Sequence, residues 1–268
     1  MVATFKTIGL LRFSVLTPTY YSERFKTLEQ TAVHLFAPER MELRFRLFEA
    51  LCLPSLARQS DPDFTALVLT AQALPEPWLS RLETLLAPLP NIELRQVGSD
   101  KHYPLLRAAY QSVDLGDATH RIMFRLDDDD AVDRDFIART KRLAAGLVAL
   151  RDQNAPLIIA CNRGFYVDTT QSETEVFDAC ERAPLAAGTT LVAPVDYPNN
   201  PYRYVHRKLP QYYDCYSDIS VPAYIRSIHG DNKSNPTQMG LTRKMKPRQI
   251  AKALKAHFHL TFDDLKAL

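Results

Sequence analysis

The chain has 268 residues, 46% of them hydrophobic and 24% charged, a composition that supports a sizeable core and excludes a disordered chain, a fibrous repeat and a small disulfide scaffold. Its 33 Lys and Arg against 31 Asp and Glu leave a net charge of +2, so no global field marks a nucleic-acid binder. Eight glycines and 18 prolines argue against glycine-rich phosphate loops.

Phe13–Thr17 is an apolar run stopped by Pro18, the pattern of a buried strand entering a loop. Tyr20 to Pro38 is polar, dotted with aromatics and aperiodic, as expected of an insertion or lid. Arg40–Leu56 reads as a helix with Leu43, Leu47, Ala50, Leu51 and Leu53 near one face and Pro54 as a kink or stop. A second strand follows at Phe64–Thr70, a helix at Trp78–Leu86, a third strand at Ile92–Val97, a helix at Leu105–Val113 and a fourth strand at Arg121–Leu126. Asp135–Leu150 is strongly amphipathic, and Pro156–Cys161 is a fifth strand. These alternations imply an α/β fold with a mostly parallel sheet covered on both faces. After Asp168 the pattern weakens: Thr189–Ala193 reads as a strand, Val195–Ser220 as loop, and a last helix starts at Pro247, where a missing amide proton costs nothing.

Cys52, Cys161, Cys180 and Cys215 form no C-x-x-C pair, so they read as small half-buried hydrophobes in a reducing compartment. No stretch approaches the roughly 18 apolar residues of a membrane span. The expectation is a soluble cytoplasmic protein.

The densest chemistry lies in Arg125-Leu126-Asp127-Asp128-Asp129-Asp130. Four carboxylates directly after an apolar strand repel one another without a cation, and in an open α/β sheet ligands sit at the carboxyl ends of the strands. In an extended segment Asp127 and Asp129 point the same way and share one target. Hard oxygen ligands suit Mg²⁺ or Mn²⁺, whose shells substrate phosphates complete. A solvated acidic turn ahead of the Asp135 helix is the competing reading. An EF-hand fails, because Val132 and Ala138 stand where Gly and Glu are needed.

Leu126–Asp130 resembles the L-D-x-D-D segment of GT-A glycosyltransferases of the family 2 type. Ser55–Phe64 is similar to that family's lead into its second strand, and Val15–Tyr20 to its first strand and nucleotide loop. With Leu47-Phe48-Glu49 and Leu53-Pro54-Ser55, the chain resembles bacterial rhamnosyltransferases over roughly residues 12–235. The resemblance implies a GT-A (Rossmann-like) domain over 1–240 and a helical extension over 241–268. Within the domain, a nucleotide-sugar half would span about 12–165 and a loop-rich acceptor half about 166–240. It implies Mn²⁺ or Mg²⁺ at Asp129, with Asp127 shared between metal and nucleotide. Asp128 and Asp130 would face the nucleotide sugar, and Thr17 and Thr19 would line the base pocket. Arg107 would match the arginine on the helix before the acidic strand.

His229 suits the late-loop metal ligand of many such enzymes, and Lys233 would neutralise the departing diphosphate. The same two residues also read as a surface turn. Transfer with inversion needs a general base. Asp214, Asp218 and Asp196 are the late acids available, with Asp214 and Asp218 preferred. Tyr202, Tyr204, Tyr212, Tyr213 and Tyr216 either stack on sugars or fill a loop-rich region. The basic helix around 244–258, with Ile250, Leu254 and Phe258 on one side, either touches an anionic membrane or presents a solvated face.

The expected function is therefore sugar transfer from a nucleotide-diphosphate donor to a hydroxyl acceptor such as a glycan or lipid-linked glycan, without nucleic acid. The competing functions are a metal-dependent phosphohydrolase and a non-catalytic carbohydrate-binding module.

Overall fold

The computed structural model describes residues 3–232, 240–242 and 244–268. In chain order, β1 (Phe5–Arg12) leads to α1 (Leu28–Leu35), α2 (Pro38–Leu47), a π-helical turn (Phe48–Cys52) and α3 (Leu53–Ala57). Then come β2 (Thr65–Ala71), α4 (Glu76–Leu86), β3 (Ile92–Val97), α5 (His102–Gln111), β4 (His120–Asp127), β5 (Asp130–Val132), α6 (Phe136–Ala149) and β6 (Leu157–Cys161). The remainder is β7 (Arg163–Asp168), β8 (Glu175–Cys180), β9 (Thr190–Pro194), β10 (Asp214–Asp218), β11 (Tyr224–Ile228), β12 (Leu241–Thr242), α7 (Pro247–Phe258) and α8 (Phe262–Lys266).

Seven strands form the main sheet in the order β10-β6-β9-β4-β1-β2-β3. Its ladders are parallel except where β9 pairs antiparallel with β4 and β6. β1, β2 and β4 are apolar through their middles because both faces are covered. α2, α4 and α6 pack on one face around Phe45, Leu82, Phe124 and Phe136. α5 and the tyrosine-rich 197–213 segment pack on the other around Leu10, Tyr110 and Leu209. Gly9 sits opposite Phe124, and a Cβ there would fall 2.1 Å from that ring. A second sheet, β12-β8-β7-β11-β5, is covered by α7 through Ile250, Leu254 and Phe258.

The helices and strands read from periodicity occur within a few residues of the expected bounds, with one displacement. The first strand is Phe5–Arg12, not Phe13–Thr17. Phe13, Val15 and Leu16 are buried, but Ser14 has φ +55°, a left-handed conformation that ends the extension. In the long N-terminal helix, Pro54 follows a π-helical turn at Phe48–Cys52. A wider turn accommodates the proline ring and its missing amide proton. The expected loop over 195–220 contains β10 and a 3₁₀ turn at His206–Gln211. No helix among the described residues is long and apolar enough to cross a membrane.

Candidate active site

Strand order reverses between β1 and β4: the chain steps from β1 to β2 and β3 on one side, then returns to β4 on the other. Such a switch point opens a crevice at the carboxyl ends of the strands. A pocket lies there, and it contains the whole acidic run. Five aspartates and four arginines line it: Asp127–Asp130 and Asp231, with Arg12, Arg40, Arg44 and Arg226.

Each carboxylate has its own neighbour. Arg12 and Asp127 are register partners at the ends of β1 and β4, and their side chains form an ion pair. The Arg12 guanidinium also lies 4.7 Å from the Tyr20 ring centre and 5.1 Å from that of Tyr202. Arg44, from α2, holds Asp128 through both ends of its fork and reaches Asp129 Oδ2 at 2.9 Å. His229 Nε2 lies 2.8 Å from the same Oδ2. Ser227 Oγ donates to the Asp129 carbonyl (2.7 Å), and its amide donates to Asp130 Oδ1 (3.3 Å). Across the pocket, Asp231 Oδ2 is 2.9 Å from Arg40 Nε, and Arg40 Nη1 donates to Ser14 Oγ at 2.9 Å. The left-handed Ser14 is thus held at the pocket wall, where backbone strain is commonly stored.

These neighbours split the four acids electrostatically. Burial raises Asp129, but Arg44 and His229 outweigh it and hold the group well below the usual carboxylate range. Asp127 is likewise lowered, with Arg12 and Arg125 overcoming burial. Burial and the adjacent Asp129 push Asp130 well above the ordinary value, against Arg226. Burial raises Asp128 as well, against Arg44. In all, five carboxylates and four guanidinium groups line the pocket.

The donor set suits a hard divalent cation. Asp129 Oδ1 and Asp127 Oδ2 accept no hydrogen bond from the described residues, leaving an open oxygen on each carboxylate. Mg²⁺ and Mn²⁺ commonly take one or two carboxylates plus substrate phosphates. His229 fits less well as a ligand. Its Nδ1 accepts from the Asp231 amide at 3.2 Å and its Nε2 lies 2.8 Å from Asp129 Oδ2, so both ring nitrogens are already engaged within the protein. Among the described residues no three His, Cys, Asp or Glu side chains converge as a metal cluster.

Several expectations from the sequence need correction. Asp127 and Asp129 do not alternate along one strand: β4 ends at Asp127, and Asp128–Asp129 form the turn into β5. They line one pocket but face different arginines. Asp214 is exposed, paired with Arg151 and absent from the pocket wall. Asp218 is buried against Arg139, which also holds Asp133. Neither lines this pocket. Arg107 is exposed on α5 and does not line the pocket. Lys233 lies outside the described residues.

Thr17 and Thr19 shape the pocket from behind. Thr17 Oγ1 accepts from the Tyr20 amide (3.2 Å), and Thr19 Oγ1 accepts from the His102 amide at the start of α5 (3.0 Å). They bring the Tyr20 and His102 rings into a stack, 4.6 Å between centres and 21° apart. Tyr202 packs on Arg12 and Arg125, the latter at 4.2 Å. The sequence reading missed Arg12, Arg40, Arg44 and His102. Arg40 and Arg44 stand four apart in a helix, and that spacing was the available signal.

Beside the pocket, His206 Nδ1 lies 2.6 Å from the Pro184 carbonyl oxygen. Burial, then Arg125, lowers its pKa from 6.5 to about 3. Between those values the unfolded chain binds a proton that the folded chain refuses, so stability present at neutral pH is lost as pH falls below 6.5. Acidifying from pH 7 to about pH 5 should cost about 1–2 kcal/mol through this residue. Thermal melts of wild type and His206→Gln across that range check this, and parallel pH slopes in the two proteins would refute it.

A family model described as "Putative rhamnosyl transferase" matches residues 6–241. Among curated proteins, none matches the chain. Among solved structures, S. aureus TarS 1–349 in complex with UDP is similar at 14% identity and a TM-score of 0.42, over 83% of this chain and 60% of that one. The mannosyltransferase PcManGT from Pyrobaculum calidifontis, in complex with GDP-Man and Mn²⁺, is similar at 15% identity and a TM-score of 0.33, over 60% of this chain and 37% of that one. The chain thus spans about three fifths of the TarS fragment.

Proposed function

The chain belongs to the family described as "Putative rhamnosyl transferase", a glycosyltransferase family, and on that premise we propose that it moves a sugar from a nucleotide-diphosphate donor to the hydroxyl of a glycan or lipid-linked glycan. Rhamnose is the sugar the family name suggests.

The observation that carries the donor reading is the set of carboxylates and guanidinium groups that line the pocket. Five aspartates face four arginines in its lining, leaving no net positive charge for a nucleoside diphosphate arriving alone. A divalent cation bound there would supply charge neutralisation at the leaving diphosphate. In this reading Asp129 and Asp127 hold the ion through their open oxygens. His229 orients Asp129, and the Tyr20–His102 stack offers a flat face to the base. Arg12 keeps Asp127 ionised. Asp231, the pocket carboxylate outside the acidic turn, is the proposed general base for the acceptor hydroxyl.

Calorimetry with UDP, dTDP and GDP, with and without Mn²⁺, tests the reading. One nucleotide should bind, with affinity falling at least about tenfold (about 1.4 kcal/mol) on chelation. No binding of any nucleotide in either condition would overturn it. Products separate the rivals: a transferase releases a nucleoside diphosphate, a phosphohydrolase releases free phosphate, and a binding module releases neither.

A further inference from the structure

The most one-sided charge in the molecule lies on α7 and the residues leading into it, away from the pocket lining. Arg243, Lys244, Lys246, Arg248, Lys252 and Lys255 fall within 13 residues, and no acid occurs from Leu241 to Phe262. The chain as a whole is only +2, so the rest of it carries −4. Such segregation is an electrostatic footprint rather than a compositional accident. The segment also begins where the family match ends.

The fold keeps five of these charges outside. α7 buries Ile250, Leu254 and Phe258 against Leu47, Leu51, Phe165 and Ile225. That leaves Arg248, Lys252 and Lys255, spaced i, i+4, i+7, as an exposed stripe, with Lys244 and Lys246 exposed just before it. None of these five makes an ion pair among the described residues. The nearby acids have other uses: Asp178 accepts from the Met245 amide, and Asp264 caps α8 through Thr261. Of these charges only Lys255, in the last turn of the helix, complements its dipole. Lys246 is its N-cap residue, and its first turn holds Arg248 and no acid, so cations sit at the positive end of the dipole. A local rule broken without local gain points to an external partner.

We propose that this basic face docks the protein on an anionic lipid surface. Four of the five exposed cations are lysines, compact point charges suited to a diffuse headgroup layer, whereas paired phosphate recognition favours the arginine fork. The helix is about 18 Å long, short for a specific nucleic-acid interface, which spreads over more elements. Leu241, 64% exposed next to the cations, adds an apolar contact. Because the apolar face of α7 is already used inside the protein, the helix does not insert. Docking is electrostatic, reversible and salt-sensitive.

The test uses the full chain and phospholipid vesicles, with no donor or acceptor. In about 50 mM NaCl it should sediment with vesicles containing about 30% phosphatidylglycerol, stay in solution with pure phosphatidylcholine, and be released by about 500 mM NaCl. The combined variant Lys246→Gln, Arg248→Gln, Lys252→Gln and Lys255→Gln should weaken partitioning by about fivefold per charge, hence at least about 100-fold. Its melting temperature and nucleotide binding should match wild type, because these side chains are exposed and remote from the pocket. Equal sedimentation with neutral vesicles, or unchanged partitioning of the variant, would overturn the proposal. So would retention on duplex DNA at salt that releases the vesicles, which would assign the face to a linear polyanion. Nucleotide binding in the same variant reports on the donor site alone, so the two readings fail independently.

Discussion

Replacing Arg44 by methionine lowers the melting temperature by about 10 °C, the largest stability effect expected of any polar residue near the pocket. The Arg44 side chain is 7% exposed, and its partners Asp128 and Asp129 are 5% and 9% exposed. Methionine fills most of the volume but leaves Asp128 buried without its fork and strips Asp129 of one of its two strongest neighbours. Removing one partner of a buried ion pair costs about 3–5 kcal/mol, and a chain of this size loses roughly 2–4 °C per kcal/mol. Arg44→Lys keeps the charge but not the two-point geometry, so it should fall between the two. The double variant Arg44→Met, Asp128→Asn should recover part of the loss, because it no longer buries an unpaired carboxylate at position 128. Melts of the three variants decide the matter. A single Arg44→Met variant melting within about 2 °C of wild type would mean that Arg44 does not hold the acidic turn in place.

How much of this was legible in the sequence depends on how locally each feature is encoded. β2, β3, β4 and β6 are short apolar runs between helical patterns, and their order alone gives a parallel sheet with its crevice at the end of β4. The four acids at that point stand out without any structure. The cations that answer them do not. Arg12 meets Asp127 across 115 residues and Arg44 meets Asp128 across 84, and periodicity carries no information at such separations. Arg44 reads as one more charged position on an amphipathic helix, although the fold buries it. The second sheet was missed for a related reason. β5 and β12 are three and two residues long, too short for alternation to register. The preference for Asp214 and Asp218 as bases came from chain position, and β10 places them on the sheet edge, one in solvent and the other locked to Arg139. First-strand placement failed at Ser14, whose left-handed backbone is set by contacts with α2 rather than by its neighbours in sequence.

Asp129→Asn should weaken nucleotide binding when Mn²⁺ is present and strengthen it when the metal is absent, while leaving the fold in place. The amide is isosteric and can still accept from His229, and Arg44 retains its two contacts to Asp128. The melting temperature should therefore stay within a few degrees of wild type, since only one of the bonds that Arg44 makes is weakened. With Mn²⁺ present, losing the anionic oxygen that faces the pocket should weaken nucleotide binding by about 100-fold, or about 2.7 kcal/mol. Turnover should fall by about 10²–10³, the scale of removing one preorganised electrostatic contact to the transition state. Without metal the expectation reverses. The substitution takes one negative charge from the pocket, so bare nucleoside diphosphate is repelled less and should bind several-fold tighter than to wild type. General damage to the site would weaken both conditions together, and only loss of a cation-holding carboxylate makes the two curves cross. Asp127→Asn should cross less sharply, because it also frees Arg12 from its partner and loosens the Tyr20 and Tyr202 rings stacked around it. Calorimetric titrations of both variants, each with Mn²⁺ and with a chelator, measure all four values. Parallel losses in the two conditions for Asp129→Asn would remove this carboxylate from the cation site.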